Sequence, residues 1–259
     1  MARFGASLAK NLHAMSTGIW AATSGAVGQM TALDVSTSNL VNARTPGFRA
    51  DTSVFRQTLV NAMGKTSGTS SQRYLTTRTT APDMSVGDLV STGRALDVAI
   101  PDEKGFFVVS TPQGERYTRA GNFAVRGDGT LTTADGSPVL GADRRPVVVD
   151  AQAGGVSIDR DGTVSSNGMP VGAIAVVTFA NLSGLEKEGQ VTLRARPDAG
   201  PPIPHGSVLE PGTLEMSNES SIGGMADEVN ISRQFDMTSR VIEAFSNIEK
   251  KAANEIMGK

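Results

Sequence analysis

The segment SNLVNARTPGFR, residues 38–49, closes a helix-like run and then turns. Its asparagines, Asn39 and Asn42, are suited to side-chain hydrogen bonds with the backbone where a helix ends. Thr45, Pro46 and Gly47 have turn chemistry, and Phe48 supplies an apolar anchor that burial would fix. The segment carries no nucleophile–base pair, so it reads as a structural joint rather than a catalytic site.

Upstream of the joint, Asp34 is the only formally charged residue between Asn11 and Ala43. Ile19, Ala26, Leu33 and Leu40 recur every seven residues, with Met30 at the complementary position, and this spacing predicts a helix over 18–42. Gly18, Gly25 and Gly28 each weaken that helix by about 1 kcal/mol relative to alanine, so neighbours have to support it. A second helix is predicted from about 224 onward. There Met237, Val241, Phe245, Ile248, Ala252 and Ile256 repeat at steps of four and three, with Val229, Phe235 and Ile242 as further apolar positions. Asp227 and Glu228 near its start, and Lys250 and Lys251 toward its end, suit the helix dipole.

Between the helices lie short β-branched and aromatic runs, among them LDVAI, GFFVVST, ERYTR, PVVVD and AIAVVTF, separated by Gly, Asp, Asn and Pro. The segments GDGTLTTADGSPV (127–139) and DRDGTVSSNGMPV (159–171) share a pattern in which glycines provide positive φ for hairpin turns. Residues 61–81 are rich in Ser, Thr and Gly and read as a linker or extended arm. The expected fold class is therefore α+β: long N- and C-terminal helices paired in a coiled-coil-like manner around an inserted all-β domain of short hairpins. The expected divisions are an extension at 1–17, a helix and turn segment at 18–60, a linker at 61–93, a β-rich domain at 94–207, a return segment at 208–223 and a closing helix at 224–259.

Composition narrows the function. The 259 residues carry a net charge of −2 with a pI near 5.8, which gives no general attraction to nucleic acid or anionic membrane. There are no cysteines and only two histidines, His13 and His205, so thiolate metal sites and cysteine catalysis are excluded and histidine chemistry is sparse. No cofactor or metal is expected. The longest apolar stretch, 171–180, is half of the ~20 residues a membrane helix needs, and the N-terminus is too polar for a signal-peptide core. A soluble chain without a conventional secretion signal is the expectation.

Individual motifs fail on spacing. Gly64–Thr66 has the end of a phosphate loop, but Leu59 stands where its first glycine belongs. Asp159–Gly162 resembles the start of a calcium loop, but Pro170 stands where the bidentate glutamate belongs. Thr132 replaces the third glycine of a dinucleotide fingerprint starting at Gly127. The carboxylate pairs Asp102/Glu103 and Glu186/Glu188 read as solvated faces. A hydrolase would need the fold to bring His205 to a serine and an acid, and a second alternative is a glycan-binding β module oligomerised by its helices.

AATSG at 21–25, followed by LDVSTSNLVNARTPGFR, resembles the N-terminal signature of the bacterial flagellar rod and hook proteins. Asn39, Leu40, Asn42, Thr45, Gly47 and Phe48 match that family's pattern position by position, while Ser38 replaces an asparagine and Val41 an alanine. ALDVAI, GFFVVSTPQGERYTRAGNF, DGTLTTADGSPVLG and VVTFANLSGLEKEG resemble its middle domain, most closely in the proximal-rod branch, and GTLEMSN resembles its closing segment. The resemblance implies a non-enzymatic structural subunit of the basal-body rod. Such a subunit assembles helically with itself and with proximal and distal rod proteins, and transmits torque from motor to hook. It also implies periplasmic location after type III export without a cleaved signal peptide, and no contact with nucleic acid or insertion in membrane. On this reading, the assembly contacts fall on the joint and on the apolar positions of the two helices.

Overall fold

The computed structural model describes residues 2–60, 72–150 and 155–257. Side chains are described for 22–52, 80–150 and most of 155–254. The Gly64–Thr66 motif and residues 61–71 of the 61–81 linker lie outside the described residues.

The described elements run from helix α1 (Ala2–Val41) through β1 (Asp51–Val60), β2 (Gln72–Pro82), β3 (Leu89–Ser91) and β4 (Val98–Ala99). They continue with β5 (Phe106–Thr111), β6 (Gly114–Thr118), β7 (Ala124–Val125), β8 (Leu131–Thr132), β9 (Val156–Ile158), β10 (Thr163–Ser166) and β11 (Met169–Ala173). The last are β12 (Val176–Thr178), β13 (Leu185–Lys187), β14 (Thr192–Ala195), β15 (Ile203–Pro204), β16 (Glu210–Pro211), β17 (Thr213–Glu215) and helix α2 (Ser221–Met257). The chain divides into two compact units: 1–38, 53–80 and 222–259 form one, and 39–52 with 81–221 form the other.

In the second unit, a six-stranded sheet has the order β13-β14-β6-β5-β12-β15, and a three-stranded sheet has the order β11-β10-β9. Strand β5 explains the packing. Phe106, Phe107, Val108 and Val109 are all fully buried, because both faces of this strand are covered. Its alternation sends Phe107 and Val109 into one core with Phe123, Leu131, Val164 and Leu209, and Phe106 and Val108 into another with Tyr117, Val177, Phe179 and Leu193. Phe107 meets Phe123 edge-on at 5.2 Å, and Tyr117 meets Phe179 likewise at 4.7 Å. Asn167 and Gly168, both with positive φ (51° and 76°), join β10 to β11 in a tight turn.

The coiled-coil pairing of long helices expected from the sequence is overturned: the structure is a mostly β body with one helix at each end of the chain. In the first unit, Val27 and Met30 of α1 are 45% and 52% exposed, and Val229 and Met237 of α2 are 50% and 59% exposed. These residues do not seal one another into a seam. The described side chains of the two helices share a polar contact, Thr37 Oγ1 to Glu228 Oε1 at 3.4 Å. Two physical reasons account for the difference. The α1 stripe is diluted by Gly, Ala, Ser and Thr, which are too small to act as knobs. The apolar residues of α2 fall on two faces rather than one: Ile231, Phe235, Ile242 and Phe245 are half-buried, whereas Met225, Val229, Met237, Val241 and Ile248 are exposed.

Candidate functional site: a polar clamp around residues 39–52

The end of α1 and the eleven residues after it, residues 42–52, belong with the β body, where side chains rather than a strand ladder hold them. Asn39 donates its amide N–H to the Asp51 carbonyl at 2.9 Å and accepts from the Asp51 N–H at 2.9 Å, so one side chain imitates a β-bridge. Asn218 performs the same office from the other end of the chain. It accepts from the Ala50 N–H at 2.7 Å and donates to the Asp83 and Ser85 carbonyls at 3.0 and 3.2 Å. The Asp83 N–H in turn donates to the Ala50 carbonyl at 2.8 Å. Asn218 and the Asp83–Ala50 bond thereby stitch together three distant stretches, 39–51, 83–85 and 218, while Asn39 closes the first of them on itself.

Between them the chain turns. The Thr45 N–H donates to the Asn42 carbonyl at 3.0 Å, and the Thr45 hydroxyl reaches Asn42 Oδ1 at 3.3 Å. Gly47 has φ of 69° and donates its N–H to the Glu215 carbonyl at 2.8 Å. A Cβ at Gly47 would stand 2.2 Å from the Ala120 backbone nitrogen, so both its torsion and its surroundings demand glycine. Phe48 is 1% exposed, and Lys187 Nζ lies 3.9 Å from its ring centroid. The same ammonium donates to the Arg49 carbonyl at 2.6 Å and to Asp51 Oδ2 at 2.8 Å.

Under the turn lies a buried ionic group. Arg49 Nη2 is 2.6 Å from Glu215 Oε1, and Arg119 Nη1 is 3.6 Å from Glu215 Oε2, with all three side chains 2% exposed or less. Arg119 also donates to the Ile100 carbonyl at 3.1 Å and lies over the Phe106 ring at 5.0 Å. Burial pushes the Arg119 guanidinium down to about 10, against the raising influence of Glu215. Two guanidinium groups share one carboxylate, and Arg49 Nε, Arg49 Nη1 and Arg119 Nε lack hydrogen-bond partners among the described residues. Such a group fixes geometry more than it adds stability, because desolvating three charges offsets much of their attraction.

The sequence-selected residues fall into distinct environments. Asn39, Asn42, Gly47 and Phe48 are buried, Leu40 and Thr45 are half-buried, and all six lie in the clamp. On α1, Ala26 is buried, Leu33 half-buried and Met30 exposed. On α2, Phe235, Ile242 and Phe245 are half-buried, whereas Val229, Val241 and Ile248 are exposed. The side chains of Ile19 and Ala252 lie outside those described. Arg49, Arg119, Lys187, Glu215 and Asn218 escaped the sequence reading. A signal was present in GTLEMSN, where the alternation Leu214, Glu215, Met216 puts a carboxylate in a strand just before the last helix.

Three of the four paired carboxylates, Asp102, Glu186 and Glu188, have partners. Glu186 and Glu188 join a surface ladder through Arg194 (2.9 and 3.4 Å), which Arg116 extends at 2.7 Å from Glu188. The fold does bring His205 to a serine and an acid, but in the wrong order. Asp102 sits in the middle, accepting from Ser207 Oγ on one oxygen and 3.2 Å from His205 Nε2 on the other. A hydrolytic triad needs histidine between the two. Burial pushes the Asp102 carboxyl up, but the Ser207 hydroxyl and the Lys104 and Gly105 N–H groups outweigh it and leave it below the usual carboxylate range. Among the described residues there is no cluster able to hold a metal ion, and no helix is long and apolar enough to cross a membrane.

A β body clamped to the chain segments that enter and leave it has chemistry suited to assembly. The chain is similar to the flagellar basal-body rod protein FlgF of Salmonella typhimurium, 34% identical over 84% of this chain and 89% of that protein. The chain belongs to the flagellar basal-body rod protein family. It is also similar to FlgG of Bacillus subtilis (31% identical, 91% of this chain and 97% of that protein) and to FlgF of Caulobacter vibrioides (28%, 86% and 91%). Residues 102–166 match the flagellar hook protein FlgE/F/G D1 domain, which covers β5 to β10 of the body. As a rod protein of the basal body, the chain is a structural subunit.

Proposed function

We infer that the chain is a proximal-rod subunit. It assembles helically with copies of itself and with other proximal and distal rod proteins, and passes torque from motor to hook. The observation that carries this reading is the contrast within the molecule. Residues 39–52 are fixed to the β body by Asn218, Lys187 and the buried Arg49–Glu215 pair, whereas α2 keeps Met225, Val229, Met237, Val241 and Ile248 exposed. Apolar residues on two faces of one helix suit a subunit that packs against several neighbours, through heterologous contacts that do not close into a ring. Ile19, Ala26, Met30, Leu33, Leu40, Ile242, Phe245 and Ala252 are assigned to the same helical packing. Torque needs a joint that does not yield, and the clamp supplies one.

A role without catalysis fits the order of Asp102, His205 and Ser207, in which the acid rather than the base is central. Passage through the flagellar type III export apparatus into the periplasm, without a cleaved signal peptide, completes the assignment and suits a chain without cysteine.

Complementation tests the reading. Expressed in a motile host lacking its FlgF-type subunit, the chain should restore swimming and be recovered in isolated basal bodies. Restoration only in a host lacking the FlgG-type subunit would reassign it to the distal rod, and absence from basal bodies in both hosts would refute it. Amide hydrogen exchange on the monomer should show α1 and α2 exchanging faster than β5, β6 and β12.

A further inference from the structure

Beside the clamp, the β body contains a cavity of about 240 Å³. This is room for several waters or for one long side chain. Pro46, Ala120, Ala134 and Val191 supply its apolar lining, and the amides of Asn122 and Gln190 also line it. Neither amide has a hydrogen-bond partner among the described residues, whereas the Asp135 carboxylate in the same lining is occupied by Thr133 Oγ1 and by Ser137 Oγ at 2.9 Å. The lining holds no cation to bind an anionic ligand and no aromatic ring to stack on a sugar. Its chemistry is that of a receptor for an apolar side chain flanked by peptide groups.

The same body presents a segment of that kind. The Asn167–Gly168 turn is a rigid two-residue hairpin, and next to it Met169 is 69% exposed, followed by Val171 at 44%. Strand β11 is the outer strand of its three-stranded sheet, and residues 169–172 are exposed on both of its faces. A large apolar side chain held in water at the tip of a rigid turn gains free energy from any partner that covers it. Methionine, unbranched and polarizable, adapts to irregular cavities better than other apolar residues. The hairpin and the cavity lining share no residue, as a head-to-tail contact requires, because the donating and receiving patches of a helical filament are different surfaces.

We propose that the cavity walled by Pro46, Ala120, Ala134 and Val191 receives the Met169 hairpin of a second copy of this chain. The unpartnered amides of Asn122 and Gln190 then bond to the exposed peptide groups of residues 169–172. This contact rests on the rod-subunit reading and gives it a defined axial interface between β bodies. It also places the receiving surface on the clamp itself, since Pro46 belongs to both.

The chain has no native cysteine, so introduced thiols report without background. Full-length chain carrying Ala134→Cys and Met169→Cys together is expressed in the complemented host, and isolated basal bodies are treated with a mild oxidant. The expected result is dimers and higher multiples of the 26.9 kDa chain from the double variant, and monomer from each single variant. Monomer alone from rods of a swimming double variant overturns the contact while leaving the rod reading intact. So does crosslinking of either single variant to a chain of different mass. Absence of the unaltered chain from basal bodies refutes the rod reading itself. Should the double variant make no rods, Met169→Leu and Met169→Asp decide: swimming retained with leucine and lost with aspartate upholds the contact, and swimming retained with aspartate overturns it.

Discussion

Residues 39–52 and helix α2 solve opposite problems. The first stretch has little regular structure, yet Asn39, Gly47, Phe48 and Arg49 are buried, Asn39 bonded to Asp51 and the other three held by Glu215 and Lys187 of the β body. The second is regular for 37 residues, yet much of its apolar surface faces solvent. Regularity and fixation are thus separate properties. A helix satisfies its own backbone hydrogen bonds along its length, whereas an irregular segment must find every partner elsewhere. The difference teaches where intolerance to substitution concentrates: in the irregular stretch, whose geometry depends on many distant residues at once.

The sharpest way to break the comparison is Gly47→Val. With φ at 69° and the Ala120 backbone 2.2 Å from a new Cβ, the turn cannot form, and a loss of more than about 4 kcal/mol in urea unfolding of the monomer is expected. A near-wild-type midpoint would mean that the clamp contributes little to the fold. Glu215→Ala should follow, at roughly 3–5 kcal/mol, because it leaves Arg49 and Arg119 facing each other without a carboxylate. Replacing Asn39 by Ala removes two hydrogen bonds and should cost about 1–3 kcal/mol by the same measurement.

Asp102 sharpens the picture on the pH axis. Its folded carboxyl holds a proton more weakly than the unfolded one, so it adds stability above pH 3.8 that disappears as pH falls through its lowered folded value. Asp102→Asn should therefore flatten the acid limb of the stability curve below pH 4. An unchanged limb would assign acid lability elsewhere. The smallest effect is expected on α2: Val229→Ser and Val241→Ser together should shift monomer stability by less than ~0.5 kcal/mol per site, while abolishing incorporation into rods. A large loss of monomer stability would mean that this face is already covered.

Much of the chemistry was visible in the sequence. Glycine and Asx turns marked the β hairpins, and Gly129, Gly136, Gly162 and Gly168 all have positive φ. The run Phe106–Val109 reads as a strand from its aromatic and β-branched residues, and only the fold shows that both of its faces are covered. The joint was recognisable as a joint from its asparagines, glycine and phenylalanine. The buried arginines were not recognisable, because a charged residue in a short strand reads as solvent-facing unless the carboxylate that meets it is known. Glu215 and Arg49 are 166 residues apart in the chain, and no local pattern links them. The heptad stripe misled for a related reason. Spacing shows which residues share a helix face, and it cannot say whether another helix covers that face.

What the sequence determined by itself was local: backbone preferences, the period of each apolar pattern, the absence of thiol chemistry and the membership implied by its signature segments. Only the tertiary structure decided that residues 39–52 fold onto the β body, that Glu215 is shared by Arg49 and Arg119, that Asp102 separates His205 from Ser207, and that two long helices leave their apolar faces unsealed. The physical reason is that torsional preference and periodicity act over a few residues. Burial of charge and closure of apolar surface depend instead on which distant residues arrive at the same place.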